Sequence, residues 1–172
     1  WNTAQAGNIT GMIGLMAVAG AFAGGIAADV WYRKNRRGRL YLPALAAAGS
    51  SICLMATFFG FAASFPLGMV FGLLFGAISM AAIPSLSSVS QDVVPLAHKG
   101  LSYGLTVFSM YFLGGAWSPM LVGAISDTLG GGADGLMWAA TCASAGGLIG
   151  AICFLASART YLLDEARVDS LA

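Results

Sequence analysis

The sequence predicts an all-α membrane protein of five transmembrane helices, and three observations carry that prediction. Of its 172 residues, 58% are hydrophobic and only 9% are charged, whereas soluble domains carry roughly 25% charged residues. A soluble core cannot absorb the surplus, because too little polar surface would remain to clothe it. The apolar residues fall into five stretches, each long enough for the roughly 20 residues a helix needs to cross hydrocarbon. Finally, all eight Lys and Arg (Arg33, Lys34, Arg36, Arg37, Arg39, Lys99, Arg159 and Arg167) fall on one side when the five stretches are threaded back and forth. The opposite connections, Ala62–Pro66 and Ser126–Leu136, carry none, and neither does Trp1–Thr10. Basic residues concentrate in cytoplasmic loops, so the N-terminus is expected outside and the C-terminus in the cytoplasm, in a bacterial inner membrane.

The first span is expected over about 10–32. It is rich in Gly and Ala, with Gly20 and Gly24 in contact spacing. The basic run Arg33–Arg39 ends it, since a charge at mid-bilayer costs roughly 2.5–3.5 kcal/mol. That run is first a topology determinant, and contact with anionic headgroups accompanies it. The second span, about 40–63, places Pro43 in its first turn, where a missing N–H matters least. Ser64, Phe65 and Pro66 make a turn so short that the second and third spans must be antiparallel neighbours.

The third span, about 67–94, carries Gly68, Gly72 and Gly76, a small-residue row that lays a smooth groove along one face. Pro84 should bend it. The fourth span, about 100–125, puts Gly104, Phe108, Tyr111, Gly115 and Ser118 on one face and Thr106, Met110, Leu113 and Trp117 on the other. The first of these faces, small residues plus a tyrosine, is the better candidate for the bundle interior. Pro119 should kink this helix. Gly130, Gly131 and Gly132 suggest a flexible outer loop. The fifth span, about 136–158, has Gly146 and Gly150 in contact spacing, and the tail 159–172 is polar. No repeat or second domain is visible in residues 1–172.

Several chemistries find no support in the residues. Cys53, Cys142 and Cys153 all lie in apolar stretches without a CxxC, and read as small buried apolar residues rather than disulfide or zinc partners. His98 has no nearby nucleophile. Ser85, Ser87, Ser88 and Ser90 can satisfy themselves within their own helix. All seven acidic residues sit at span ends, in loops or in the tail, so no ionisable group occupies mid-membrane, where proton relays are built. No enzyme, metal, cofactor or nucleic-acid partner is expected. Membrane lipids are expected as neighbours. The absence of an initiating Met and of a charged leader makes the chain read as part of a larger protein.

One motif carries a family resemblance. Gly25, Asp29, Arg33 and Lys34, at the inner end of one span and before the next, resemble the signature loop of the major facilitator superfamily. Val30 and Tyr32 depart from that pattern, where a basic residue and a glycine are usual. The stretch Gly114–Asp127, with Ser118-Pro119, Gly123 and an Ile-Ser-Asp exit, resembles the eleventh helix of the Spinster-like branch, and Gln91–Pro95 with Lys99 resembles the loop before it. The resemblance implies that the five spans are helices eight to twelve, most of the C-terminal six-helix bundle of a twelve-helix transporter whose N-terminal half is missing here.

The resemblance implies roles as well. Gly25, Asp29, Arg33 and Lys34 would form a conformational latch, with Asp29 meeting the start of the fourth span near Lys99, Gly100 and Leu101. Gly115, Ser118, Pro119 and Gly123 would allow kinking and close packing. Ser79, Met80, Phe108, Tyr111 and Ser118 would line a central cavity for a small-molecule substrate. Tyr111 suits an amphipathic ligand, because it joins an apolar ring to a hydroxyl. Trp1 and Trp31 would instead anchor at the membrane interface. The expected function is secondary transport of a small or amphipathic organic solute by alternating access. The rivals are an organic-anion or sugar-phosphate carrier of the same superfamily and a non-transporting five-span scaffold subunit.

Overall fold

The computed structural model describes residues 3–169, so Trp1 lies outside the described residues. Five helices are long and apolar enough to cross a membrane: Gly7–Lys34, Gly38–Ala63, Phe65–Asp92, Leu96–Thr128 and Asp134–Ser157. This is an all-helical integral membrane architecture, with every expected span in place. The helices are α1 (Thr3–Lys34), α2 (Gly38–Ala63), α3 (Phe65–Asp92), α4 (Lys99–Ser109), α5 (Ser118–Thr128), α6 (Gly132–Ser157) and α7 (Tyr161–Asp169). Among the described residues there is no strand.

Small residues set the packing. α3 lies between α1 and α2, α6 packs on the other side of α2, and α5 packs on α6. A Cβ at Gly20 or Gly24 would run into the backbone of Ala77 or Ala81, and one at Gly76 would meet the Ile13 backbone. The first and third spans therefore touch main chain to main chain, the close approach that small residues allow where lipid gives no hydrophobic drive. Gly60 and Gly68 bring α2 and α3 together just below their one-residue turn at Ser64, as the shortness of that connection requires.

Four details differ from the sequence expectation. First, α2 begins at Gly38, so Pro43 sits in its second turn and cannot bond the Arg39 carbonyl. The Ser85 hydroxyl of α3 donates to that carbonyl instead, and Pro43 and Ser85 are both fully buried. Ser85 thus bonds outside its own helix, while Ser88 and Ser90 bond within theirs, to Pro84 and Ser87. Second, the α2–α6 contact uses Gly147, against Ser51 and Ala47, and leaves open space at Gly146 and Gly150. Third, Gly130, Gly131 and Gly132 form a defined turn with φ of 96°, 68° and 70°. The Gly131 N–H donates to the Ser126 carbonyl at 2.9 Å, and the positive φ values explain the glycines better than flexibility does. Fourth, Cys142 and Cys153 are exposed on α6 rather than buried.

The fourth span is not one helix. α4 gives way to a π-helical segment at Met110–Gly115, followed by Ala116-Trp117 and then α5 with Pro119 in its first turn. Pro119 has no N–H and its ring crowds the carbonyl four residues back, at Gly115. The wide turn meets that demand, with the Ala116 N–H donating to the Tyr111 carbonyl at 2.8 Å. The interruption expected at Pro119 is present, drawn out over the six residues that precede Ala116. α3, by contrast, runs through Pro84 without a break.

Candidate functional site

Two places concentrate polar chemistry. The first is the basic end of the bundle, where α1, α2, α3 and α7 meet. Asp92, the last residue of α3, pairs with Arg39 of α2 and accepts a hydrogen bond from the Tyr161 hydroxyl of α7 at 2.9 Å. One turn further along α7, Glu165 accepts from the Tyr32 hydroxyl at 3.0 Å and pairs with Arg36 at 3.4 Å. The Arg39 guanidinium lies 3.8 Å above the Tyr32 ring, joining the two halves by a cation–π contact. Its Nε is buried without a hydrogen-bond partner among the described residues. Two cations and two carboxylates balance, so the network is neutral overall.

Beneath this network, Leu40, Ala158 and Tyr161 form a buried cluster with Tyr41, Val89, Val93, Phe154 and Leu162 around it. α7 is therefore a strap, held by an apolar underside and a polar rim, where the sequence promised only a polar tail. Burial, then the hydrogen bond to Asp92, then the charges of Asp92 and Glu165 push the Tyr161 phenol well above its ordinary range. It stays a neutral hydrogen-bond donor.

All eight Lys and Arg belong to this end of the bundle. Five lie between Arg33 and Arg39, at the α1–α2 junction. Lys99 opens α4, whose Ser102 hydroxyl reaches the Ser90 carbonyl near the end of α3 at 2.5 Å. Arg159 and Arg167 flank the anchored face of α7.

The second place is a cleft of about 420 Å³ between α3 and the α4–π segment. Met80, Ile83 and Ser87 of α3 form one wall, and Tyr103, Thr106 and Tyr111 are on the other. Such a volume falls within the usual range of ligand sites. Thr106 donates to the Ser102 carbonyl at 2.9 Å. Among the described residues, the hydroxyls of Ser87, Tyr103 and Tyr111 form no hydrogen bond.

The predicted site residues divide accordingly. Met80 and Tyr111 line the cleft together with Gly115, whereas Ser79, Phe108 and Ser118 do not. Ser79 bonds the Gly76 carbonyl of its own helix at 3.0 Å. Phe108 stacks on Phe112 with centroids 5.2 Å apart, and both are exposed. The cleft side of α4 carries Thr106 and Met110, which the helical wheel placed outward. The wheel also loses phase beyond Met110, because a π turn holds more residues than an α turn. Ser118 and Pro119 are exposed and Gly123 has open space around it among the described residues.

In the Gly25–Lys34 motif, Gly25 would meet only the Pro84 ring, 3.7 Å from an added Cβ; the close approach belongs to its neighbour Gly24. Asp29, Arg33 and Lys34 are exposed, and Asp29 forms no hydrogen bond or ion pair among the described residues. Trp31 packs on Tyr41 with centroids 6.3 Å apart and walls Gly38. Sequence reasoning missed Arg39, Asp92, Tyr161 and Glu165 as a unit. Their one local signal is the spacing of Ala158, Tyr161 and Glu165, which share a helical face. Comparison with protein-family models gives no match for this chain, and no curated protein matches it significantly.

Proposed function

We propose that this chain is part of the C-terminal bundle of a secondary transporter, moving a small or amphipathic organic solute by alternating access. The cleft between α3 and the fourth span carries the reading. It is of ligand size, lies between two segments of membrane-spanning length, and mixes hydrocarbon with hydroxyls. The fourth span adds support, since no residue of its most apolar window is buried within the chain. A helix that touches α3 yet buries none of these residues has one face for lipid and another for further protein, which in this reading is an N-terminal half that closes the cleft. The π-helical break gives that helix a natural bending point.

The Gly25–Lys34 motif has its place in the cycle. The exposed Asp29 carboxylate is free to meet the start of α4 in the outward-open state, where helix-terminal N–H groups favour an anion. Breaking that latch shifts the conformational equilibrium without touching substrate contacts. The basic end then faces the cytoplasm, with the N-terminus outside.

The test is uptake into proteoliposomes holding the complete protein, with a panel of lysolipids and organic anions, with and without a pH gradient. Saturable, protein-dependent accumulation of at least one solute is expected. A complete protein that is correctly folded and accumulates none of them would contradict the transport reading, and a complete protein of these five spans alone would favour the scaffold. Asp29→Asn should change which face is accessible to impermeant labels, and unchanged accessibility would remove the latch.

A further inference from the structure

Two hollows meet at one methionine. The cleft between α3 and α4 lies on one side of Met80. On the other side a groove of about 460 Å³ runs between α1 and α3, lined by Ala17, Val18, Ala21, Phe22, Met80 and Pro84. Met80 borders both, so a flexible, unbranched thioether stands where the two linings share a residue.

The two chambers differ in chemistry. Every side chain lining the groove is apolar. The cleft offers the hydroxyls of Ser87, Tyr103 and Tyr111, none engaged with another described residue, above a floor of Met80, Ile83 and Leu86. Among the described residues, neither chamber is lined by Asp, Glu, Lys, Arg or His. A phosphate or carboxylate placed in the cleft would lose its hydration and meet no cation among the described residues, a heavy cost. Hydroxyl, ether or ester groups would find donors and acceptors of matching strength. An alkyl chain entering the groove would exchange contact with water or lipid for a preformed apolar surface.

We propose that α3 carries a two-chamber site for an uncharged single-chain amphiphile. The polar head sits among Ser87, Tyr103 and Tyr111, and the alkyl tail crosses Met80 into the α1–α3 groove. Binding stands on the two hollows alone, while the use of that ligand as cargo rests on the transport reading above.

The test is equilibrium binding to the complete protein in nanodiscs, using butanoyl-, hexanoyl-, octanoyl- and decanoylglycerol, with decyl phosphate as the anionic comparator. With partition into empty nanodiscs subtracted, wild-type affinity for the aqueous ligand should rise with chain length, by up to roughly fourfold for each methylene taken from water, and decanoylglycerol should bind at least tenfold more tightly than decyl phosphate. Met80→Trp fills the crossing. It should flatten the chain-length gain, so that decanoylglycerol loses far more affinity than butanoylglycerol, whereas Met80→Ala, which opens the crossing, should keep the gain. Tyr103→Phe and Tyr111→Phe should each weaken all four glycerides by a common factor of roughly 2 to 10.

Tighter binding of decyl phosphate, or a Met80→Trp effect equal at every chain length, would overturn the proposal. The latter result would mean that Met80 only packs helices. Binding with the expected chain-length pattern but without uptake would refute transport and leave the site standing. Uptake without that pattern would do the reverse.

Discussion

Two adjacent glycines should respond oppositely to the same mutation. A Cβ at Gly24 would lie 2.7 Å from the Ala81 carbonyl carbon and closer still to its oxygen, whereas one at Gly25 would lie 3.7 Å from the Pro84 ring, in ordinary contact. The obstacle at Gly24 is backbone in mid-helix, which cannot rotate aside. Gly24→Ala must therefore push α1 and α3 apart. Forcing an extra methyl group into a packed contact costs about 1–3 kcal/mol. The intrinsic gain of Ala over Gly in a helix, about 0.5–1 kcal/mol, is common to both variants and cancels in their difference. Gly24→Ala should thus be less stable than Gly25→Ala by about 1–3 kcal/mol, or roughly 5- to 150-fold in the folding equilibrium. Reversible unfolding of the complete protein in mixed micelles measures that difference. Equal stability of the two variants would refute main-chain contact between the first and third spans.

Three further outcomes follow from the basic end of the bundle. Ser85→Ala should cost about 1–3 kcal/mol, because it leaves the Arg39 carbonyl buried without a donor. In a Pro43→Ala background, which restores a backbone N–H to that carbonyl, the cost should shrink, and a double-mutant cycle reads the coupling. Glu165→Ala should free the end of α7 and speed tryptic cleavage at Arg159. The loss of the bond from Tyr32 should matter more there than the loss of the Arg36 pair, because Arg36 is largely exposed and such pairs contribute about 0–1 kcal/mol. The raised phenol of Tyr161 holds its proton more tightly in the folded chain than in the unfolded one. Its contribution to stability is complete below the unfolded tyrosine value of about 10 and is lost as pH rises from there toward the folded value. Melting temperature should therefore fall with pH above about 10, and less steeply in Tyr161→Phe.

What was legible in the sequence, and what was not, divides by range. The five spans follow from apolar length and the placement of charge, both local properties. So do the tight turn at Ser64 and the break before Pro119. The basic end depends on pairs far apart in sequence: Tyr32 with Glu165, Arg39 with Asp92, Asp92 with Tyr161. No local pattern encodes which charges meet, so Asp92 and Glu165 looked like ordinary interfacial acids. Pro43 was misjudged because its meaning depends on where α2 begins, a matter of two residues. The same holds for Gly147 against Gly146 and Gly150. Glycine spacing announces a close contact, but which member of a run faces a neighbour depends on helix rotation. Met80 and Tyr111, named as cavity candidates, border the cleft beside Ser87 and Tyr103, which sequence reasoning did not single out as cavity residues. The wheel for α4 chose the face with small residues, whereas α4 presents its hydroxyl-bearing side to α3.

The account depends most on all eight basic residues sharing one side of a membrane. Single cysteines at Arg37→Cys, Lys99→Cys and Arg159→Cys, and at Ser64→Cys and Thr128→Cys, in the complete protein with Cys53, Cys142 and Cys153 replaced by alanine, test it with a membrane-impermeant thiol reagent. The first three should react only from the cytoplasmic side and the last two only from the opposite side. Reaction of the Arg37 and Lys99 positions from opposite sides would contradict the topology and everything built on it.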